Sequence, residues 1–133
     1  MNKYYTPDIE EFHSGFEYEI LTLKLKDNKT IREWKKVDKL HPELELLLND
    51  KNIRVKYLDR EDIESLGFEY EDTLYVKSNV RGDFEYWIDI EREVENEGLE
   101  ISIDGEDNEN NFRGIVKNKS ELKKLLTQLR INE

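Results

Sequence analysis

The chain contains no cysteine, and its 133 residues include only two prolines, two histidines and one methionine. Without cysteine it can form neither disulfide bonds nor thiolate metal sites, and it is compatible with a reducing cytosol. Its first residues, MNKYYTPDIEEF, lack the apolar stretch of a secretory signal, and no apolar run approaches the length of a membrane span. These absences predict a cytoplasmic protein without membrane contact.

Apolar residues are also scarce, at 36% of the chain, whereas charged residues reach 40%. Such a composition is found in disordered chains. Here, however, aromatic residues alternate regularly with acidic ones, as in the sequence Gly-Phe-Glu-Tyr-Glu at residues 15–19 and again at 67–71. This alternation suits a strand with one buried and one solvated face. We therefore predict one globular domain over residues 1–133, able to bury about two thirds of its unfolded surface.

Apolar alternation along the chain predicts a mostly antiparallel sheet. The predicted strands cover residues 16–25, 30–37, 53–57, 68–70, 74–76, 84–94, 99–103 and 112–116. In the first strand the apolar phase changes between Ile20 and Leu21, which predicts either a β-bulge or burial on both faces. Short helices are expected over residues 42–48 and 59–66, the second capped by Asp59 and ended by Gly67.

The last segment of the chain predicts an amphipathic helix. Asn118 and Glu121 form a capping pair, and leucines follow at i, i+3, i+4 and i+7, at positions 122, 125, 126 and 129. This stripe is typical of a helix that packs on a core. The sequence therefore predicts an α+β fold: a single domain of mostly antiparallel sheet with a C-terminal amphipathic helix and short connecting helices.

The net charge of −11 lies entirely between residues 83 and 111. That region contains twelve carboxylates and one base, Arg92. In the predicted strand 84–94 the even positions are mostly apolar and the odd positions mostly acidic, and same-face residues on a strand repeat about every 6.8 Å. The pattern predicts one buried face and, opposite it, a row of carboxylates around Trp87.

The next predicted strand is expected to add carboxylates to that row. The predicted partner-binding residues are Glu85, Trp87, Asp89, Glu91, Glu93, Glu95, Glu100 and Asp104. Neighbouring like charges destabilise a sheet, so folding alone does not explain the row. Two interpretations stay open. The row keeps the protein soluble, or it is a docking face for a basic nucleic-acid-binding protein, with Trp87 as the aromatic anchor.

No catalytic motif is present: the sequence has no Gly-rich phosphate loop, no nucleophile elbow and no HExxH motif. A lone histidine beside acids, such as His13, is more typical of surface hydrogen bonding than of catalysis. The loop 104–111 offers oxygen ligands, but Glu109 stands where an EF-hand requires glycine. We predict a protein that is not an enzyme and has no catalytic residues, metal or cofactor. A small carboxylate-based metal-dependent enzyme is the alternative.

A basic cluster surrounds Trp34 in the first predicted hairpin. Its members are Lys24, Lys26, Lys29, Arg32, Lys35 and Lys36. Cations with an interleaved aromatic are typical of a nucleic-acid surface, and lysines along an exposed strand also prevent edge-to-edge pairing. The acidic pI of about 4.8 does not favour direct nucleic-acid binding. An RNA-binding module on this hairpin is a further alternative.

Three segments of the chain resemble small proteins of Bacteroidetes bacteria and their phages. These segments are residues 4–13 with 15–19, residues 57–68, and residues 118–126. The resemblance implies no site residues. It implies a phage or mobile-element protein, and small acidic proteins from that context include inhibitors that evade host defence, among them anti-CRISPR proteins. On that basis the expected basic partner is a nucleic-acid-handling defence protein such as a CRISPR effector.

Overall fold

The computed structural model describes residues 3–80, 84–106 and 111–131. Backbone contacts divide the chain into two compact units, residues 2–56 and residues 57–133. Each unit contains one antiparallel sheet, and the second unit also contains the last helix. The predicted α+β class, with mostly antiparallel sheet and a C-terminal helix, is confirmed. One domain over residues 1–133 stays a prediction.

The first unit is a four-stranded sheet with a short helix packed on one face. Its elements are β1 (Tyr4–Tyr5), a 3₁₀ turn (Ile9–Glu11), β2 (Tyr18–Lys26), β3 (Lys29–Val37), α1 (Leu44–Asn49) and β4 (Ile53–Lys56). The strand order is β1-β4-β2-β3, and neighbouring strands are antiparallel. The core of this unit consists of Phe16, Tyr18, Ile20, Ile53 and Val55. Three leucines of α1, at positions 44, 47 and 48, pack against it.

Strands β2 and β3 form one long, regular hairpin. Pairing continues without a shift from Tyr18 opposite Val37 as far as the turn. Asp27 and Asn28 make this two-residue turn with φ angles of 53° and 63°, the left-handed values that a type I′ turn requires. Because this turn matches the natural twist of paired strands, it holds the register of the hairpin, and the predicted partner strand over residues 30–37 is confirmed.

The outer half of this hairpin accounts for the change of apolar phase in β2. Only Glu19 and Ile20 of β2 pair with β4, so the strand continues beyond the sheet and its core. Leu23 and Leu25, which follow the change in apolar alternation after Ile20, are 70% and 73% exposed. The predicted bulge and the predicted burial on both faces are therefore wrong, because these leucines lie on a solvent-exposed extension.

The second unit is a five-stranded meander with two helices. Its elements are α2 (Arg60–Ser65), β5 (Glu69–Glu71), β6 (Leu74–Val80), β7 (Phe84–Val94), β8 (Gly98–Gly105), β9 (Phe112–Val116) and α3 (Lys119–Gln128). The strands lie in chain order, each antiparallel to its neighbour. The inner face of this sheet forms the larger core together with residues of both helices. Tyr86, Ile88, Ile101 and Ile103 of that face are 0% exposed.

The helices of the second unit begin and end as the sequence predicts. The Asp59 carboxylate accepts a hydrogen bond from the Asp62 N–H at 2.9 Å, and Asn118 Oδ1 accepts one from the Glu121 N–H at 2.8 Å. These bonds satisfy backbone donors that have no partner within the helix. Gly67, with φ of 96°, follows the end of α2 in the left-handed conformation expected there.

The leucine stripe of α3 faces the core, as predicted. Leu122 is 0% exposed and Leu126 is 1% exposed. Leu125 and Leu129 are half-buried and pack against the same cluster. Full burial of one leucine side chain stabilises a fold by about 1.5–3 kcal/mol, so this stripe is a major source of stability for the second unit.

Gly98 begins β8 with φ of 123°, and a Cβ there would lie 2.3 Å from the carbonyl oxygen of Val116. Because that oxygen belongs to the backbone of β9, Gly98→Ala must separate the two strands. We expect it to lower the free energy of unfolding by at least about 3 kcal/mol, measured by urea unfolding.

Gly67→Ala is the matched control for Gly98→Ala. Its φ is also positive, but a Cβ would meet only the flexible side chain of Lys77, at 3.3 Å. The loss should therefore be limited to the conformational cost of about 1–2 kcal/mol. Equal losses for the two variants would contradict the tight contact between β8 and β9.

Candidate functional site

The outer face of the five-stranded sheet, opposite its core, carries most of the predicted acidic residues. Residues directly opposite each other on antiparallel strands point to the same side of the sheet. One such row is Glu69, Val76, Trp87 and Asp104, and another is Asp89, Ser102 and Arg113. Since neighbouring strands are about 4.8 Å apart, the five strands make a surface roughly 20 Å wide.

We call this surface the acidic sheet face. Its carboxylates are Glu69, Glu71, Glu85, Asp89, Glu91, Glu100 and Asp104, and its bases are Arg92 and Arg113. Apolar side chains lie among them as well: Leu74 and Trp87 are half-buried, Val76 is buried, and Ile115, opposite Glu100, is exposed. Seven carboxylates and two arginines around an apolar centre form a surface that attracts a basic partner and offers it an apolar contact.

A β-bulge in β7 changes which residues reach this face. The register shifts between Ile90 and Arg92, so that Arg92 lies opposite Glu100. Arg92 Nε is 2.9 Å from Glu100 Oε2. Because one extra residue reverses the alternation of every residue after it, the predicted row of odd-numbered carboxylates is wrong beyond the bulge. An arginine stands where the row was expected to continue.

Two of the predicted partner-binding residues therefore lie away from the acidic sheet face. Glu93 is paired with Leu99, a buried residue of the inner face, and Glu95 lies in the turn after β7. Glu93 lines a cleft of about 510 Å³ at the edge of the sheet, together with Leu99, residues 90–92 and residues 59–61 at the start of α2. That Glu93 and Glu95 bind a partner stays a prediction, but they do not share one flat surface with Trp87.

The other predicted residues lie together on the face. Trp87 Nε1 donates a hydrogen bond to Glu85 Oε1 at 3.2 Å, which helps to orient the ring. Glu91 Oε2 is 4.0 Å from a terminal nitrogen of Arg113. Within the residues that the structure describes, no ion pair involves Asp89 or Asp104. The face thus retains carboxylates whose charge no neighbouring base offsets.

Strand β5 contributes two carboxylates that the sequence prediction did not include. Glu69 is paired with Val76, and Glu71 with Leu74. Both glutamates are exposed and belong to the second Gly-Phe-Glu-Tyr-Glu segment, whose alternation already indicated a solvated face. What the alternation did not show is that β6 pairs with β7, which brings this solvated face next to Trp87.

Comparison of the chain with protein-family models, with curated proteins and with solved structures gave no match. A function must therefore follow from the chemistry of the chain's own surfaces. The acidic sheet face gathers seven carboxylates and two arginines on one side of a single sheet.

The remaining polar candidates make local contacts. His13 Nδ1 lies 2.9 Å from the carbonyl oxygen of Ser14, and His41 Nδ1 accepts a hydrogen bond from the Glu43 N–H at 3.0 Å. Across the described ranges, no group of three or more acidic or histidine side chains is placed to hold a metal ion. Residues 107–110 of the candidate calcium loop lie outside the described residues. No helix in the described part of the chain is both long and apolar enough to span a membrane.

In the first unit, Trp34 is engaged by an arginine from another strand. The Arg54 guanidinium lies 4.2 Å from the centre of the Trp34 ring and 3.7 Å from that of Tyr4, and it forms a 3.1 Å ion pair with Glu19. Arginine stacks well on aromatic faces. One face of each ring is therefore already covered, which favours a structural role for Trp34. RNA binding by the hairpin stays a prediction.

Glu100→Gln and Asp104→Asn should have different effects on stability, although each removes one charge from the acidic sheet face. The first variant loses the ion pair with Arg92, and we expect it to be less stable by up to about 1 kcal/mol. The second removes a charge that has no partner, and it should be neutral or slightly stabilising, within about 0.5 kcal/mol.

Thermal unfolding at low and high salt measures both effects. The difference between the two variants should shrink at about 1 M salt, where exposed charges are screened. A larger loss for Asp104→Asn than for Glu100→Gln would contradict the register that the bulge imposes.

Proposed function

We propose that this chain is a cytoplasmic binding protein, not an enzyme, which docks its acidic sheet face on a basic groove of a nucleic-acid-handling protein. The observation that carries the proposal is the one-sided placement of charge. Seven carboxylates from β5, β7 and β8 share the outer face, while the inner face of the same sheet is apolar and buried.

Solubility requires a polar outer face but not a nearly uniform sign. Surfaces that serve solubility alone do so with both signs interspersed, and like charges on neighbouring strands lower stability. A concentrated negative face has a further effect, since it raises the rate at which a positively charged partner is encountered. The arrangement is therefore better suited to recognition than to solubility alone.

The apolar centre of the face supplies binding energy that charge alone does not provide. Binding energy in protein interfaces is concentrated in a few large side chains, with tryptophan among the most frequent. Trp87 is half-buried and surrounded by acidic residues, so it can contact a partner while the carboxylates around it pair with lysine or arginine. Same-face carboxylates repeat about every 6.8 Å along a strand, and they can occupy positions that phosphates take on a nucleic-acid-binding groove.

The resemblance of three segments to phage and mobile-element proteins favours a concrete form of this proposal. In that form the chain inhibits a host defence protein in the manner of an anti-CRISPR protein, with a CRISPR effector as the partner. Neither direct binding of nucleic acid nor a cofactor is part of the proposal.

Removing charge from the acidic sheet face should slow partner binding. The triple variant Glu69→Gln, Asp89→Asn, Asp104→Asn lies on the face, and within the described part of the chain none of these three carboxylates forms an ion pair. We expect its association rate to fall about threefold to tenfold and to depend less on salt. Trp87→Ala should mainly raise the dissociation rate.

The control is the triple variant Glu61→Gln, Glu64→Gln, Glu97→Gln, which changes the net charge equally but lies on α2 and in the turn after β7, off the face. Tagged wild-type protein and both variants would capture partners from host extract, and the partner that the face variant loses would then be purified for surface plasmon resonance. If the face variant and the control lose binding equally, overall charge explains the binding and the proposed docking face is wrong.

A further inference from the structure

The outer half of the β2–β3 hairpin, residues 21–35, extends beyond the four-stranded sheet as a two-stranded ribbon. Its two faces differ in chemistry. One face carries Leu21 opposite Trp34, Leu23 opposite Arg32, and Leu25 opposite Thr30. The other carries Thr22 opposite Glu33, Lys24 opposite Ile31, and Lys26 opposite Lys29. We call the face with Leu21, Leu23 and Leu25 the ribbon face; it also carries Arg32.

The ribbon face exposes more apolar surface than a free hairpin is expected to tolerate. Leu23 is 70% exposed and Leu25 is 73% exposed, and every residue from 23 to 33 is exposed. A hairpin of two strands is only marginally stable in water unless another surface covers it. Adjacent exposed leucines on one face indicate an interaction site rather than scattered surface residues.

The chemistry of the ribbon face selects the kind of surface that covers it. Leucine side chains do not stack on bases, and the one aromatic side chain of the ribbon, Trp34, already has the Arg54 guanidinium 4.2 Å from its ring centre. The cations on this face are Arg32, opposite Leu23, and Lys36 at the base of the ribbon, and among the described residues no ion pair involves either of them. The ribbon face therefore fits a protein surface with an apolar centre and an acidic rim.

This chain itself carries such a surface. On the acidic sheet face, Leu74, Val76 and Trp87 lie among seven carboxylates. The dimensions also agree: six residues of extended strand make the ribbon about 20 Å long, and five strands make the face roughly 20 Å wide. We propose that the ribbon face of one copy docks on the acidic sheet face of a second copy.

An interface between two different surfaces of the same chain joins copies head to tail. A ribbon two strands wide covers less than the roughly 800 Å² per partner of a standard stable interface. Self-association should therefore be weak and salt-sensitive. Because this inference places a second copy on the face that the proposed function assigns to a basic partner, it also predicts that self-association and partner binding compete.

Two complementary variants test the head-to-tail arrangement. The ribbon variant is Leu23→Thr, Leu25→Thr, which keeps side chains that favour strands, and the face variant is Glu69→Gln, Asp89→Asn, Asp104→Asn. In sedimentation equilibrium the wild type should exceed its monomer mass of 16.0 kDa as concentration rises. This increase should disappear at about 500 mM salt.

Each variant alone should remain monomeric at every concentration. An equimolar mixture should form a dimer and nothing larger, because only one intact ribbon face and one intact acidic sheet face are then left to join. The variant Glu61→Gln, Glu64→Gln, Glu97→Gln should associate as the wild type does. Circular dichroism of each variant must match that of the wild type, and Leu23→Lys provides a second ribbon variant if the first loses structure.

Two outcomes would overturn the inference. The wild type stays monomeric at low salt, or the face variant still dimerises alone, which would indicate contact between two ribbons. If the wild type stays monomeric and binds labelled single-stranded RNA at low salt, the ribbon face is an RNA-binding surface instead. Partner capture by the ribbon variant distinguishes this inference from the proposed function, since that variant keeps the acidic sheet face and should still retain the partner.

Discussion

The complete burial of alternate residues in β7 and β8 is the constraint on which the second unit depends. Tyr86, Ile88, Ile101 and Ile103 are each 0% exposed, and α3 packs its leucines into the same core. A strand whose alternate side chains are held inside must turn the others outward. The acidic sheet face is thus the necessary counterpart of this core, because the charged residues between these apolar positions have only one side of the sheet to occupy.

Patterns confined to a single element were sufficient to predict most of the fold. The helix α3 followed from its leucine spacing and from Asn118, and β7 was predicted with the bounds that the structure gives it, Phe84–Val94. The hairpin of β2 and β3 was likewise predicted, from the strands expected over residues 16–25 and 30–37. In each case the decisive interactions lie within a few residues of each other, so the periodicity of the sequence reports them directly.

Features that depend on pairing between strands were not predictable in the same way. The bulge before Arg92 leaves only a weak mark in its own strand, an arginine among otherwise apolar even positions, and its position becomes clear only in the register with β8. Glu69 belongs to the acidic sheet face only because the strand order is β5-β6-β7. The stacking of Arg54 on Trp34 and Tyr4 joins three strands. The exposure of Leu23 also escaped prediction, because hydrophobic periodicity indicates which side chains share a face but not whether anything covers that face.

The bulge in β7 also determines how the charge of this sheet can change. With Glu91 as the extra residue, Arg92 occupies the outer face beside Glu100, and Glu93 lies opposite Leu99. Loss of Glu91 would leave both of these pairs in place and restore a regular ladder between β7 and β8. A single-codon deletion could thus remove one carboxylate from this surface without replacing any buried residue. The bulge therefore makes this strand tolerant of a change in length at the point where its charge is exposed.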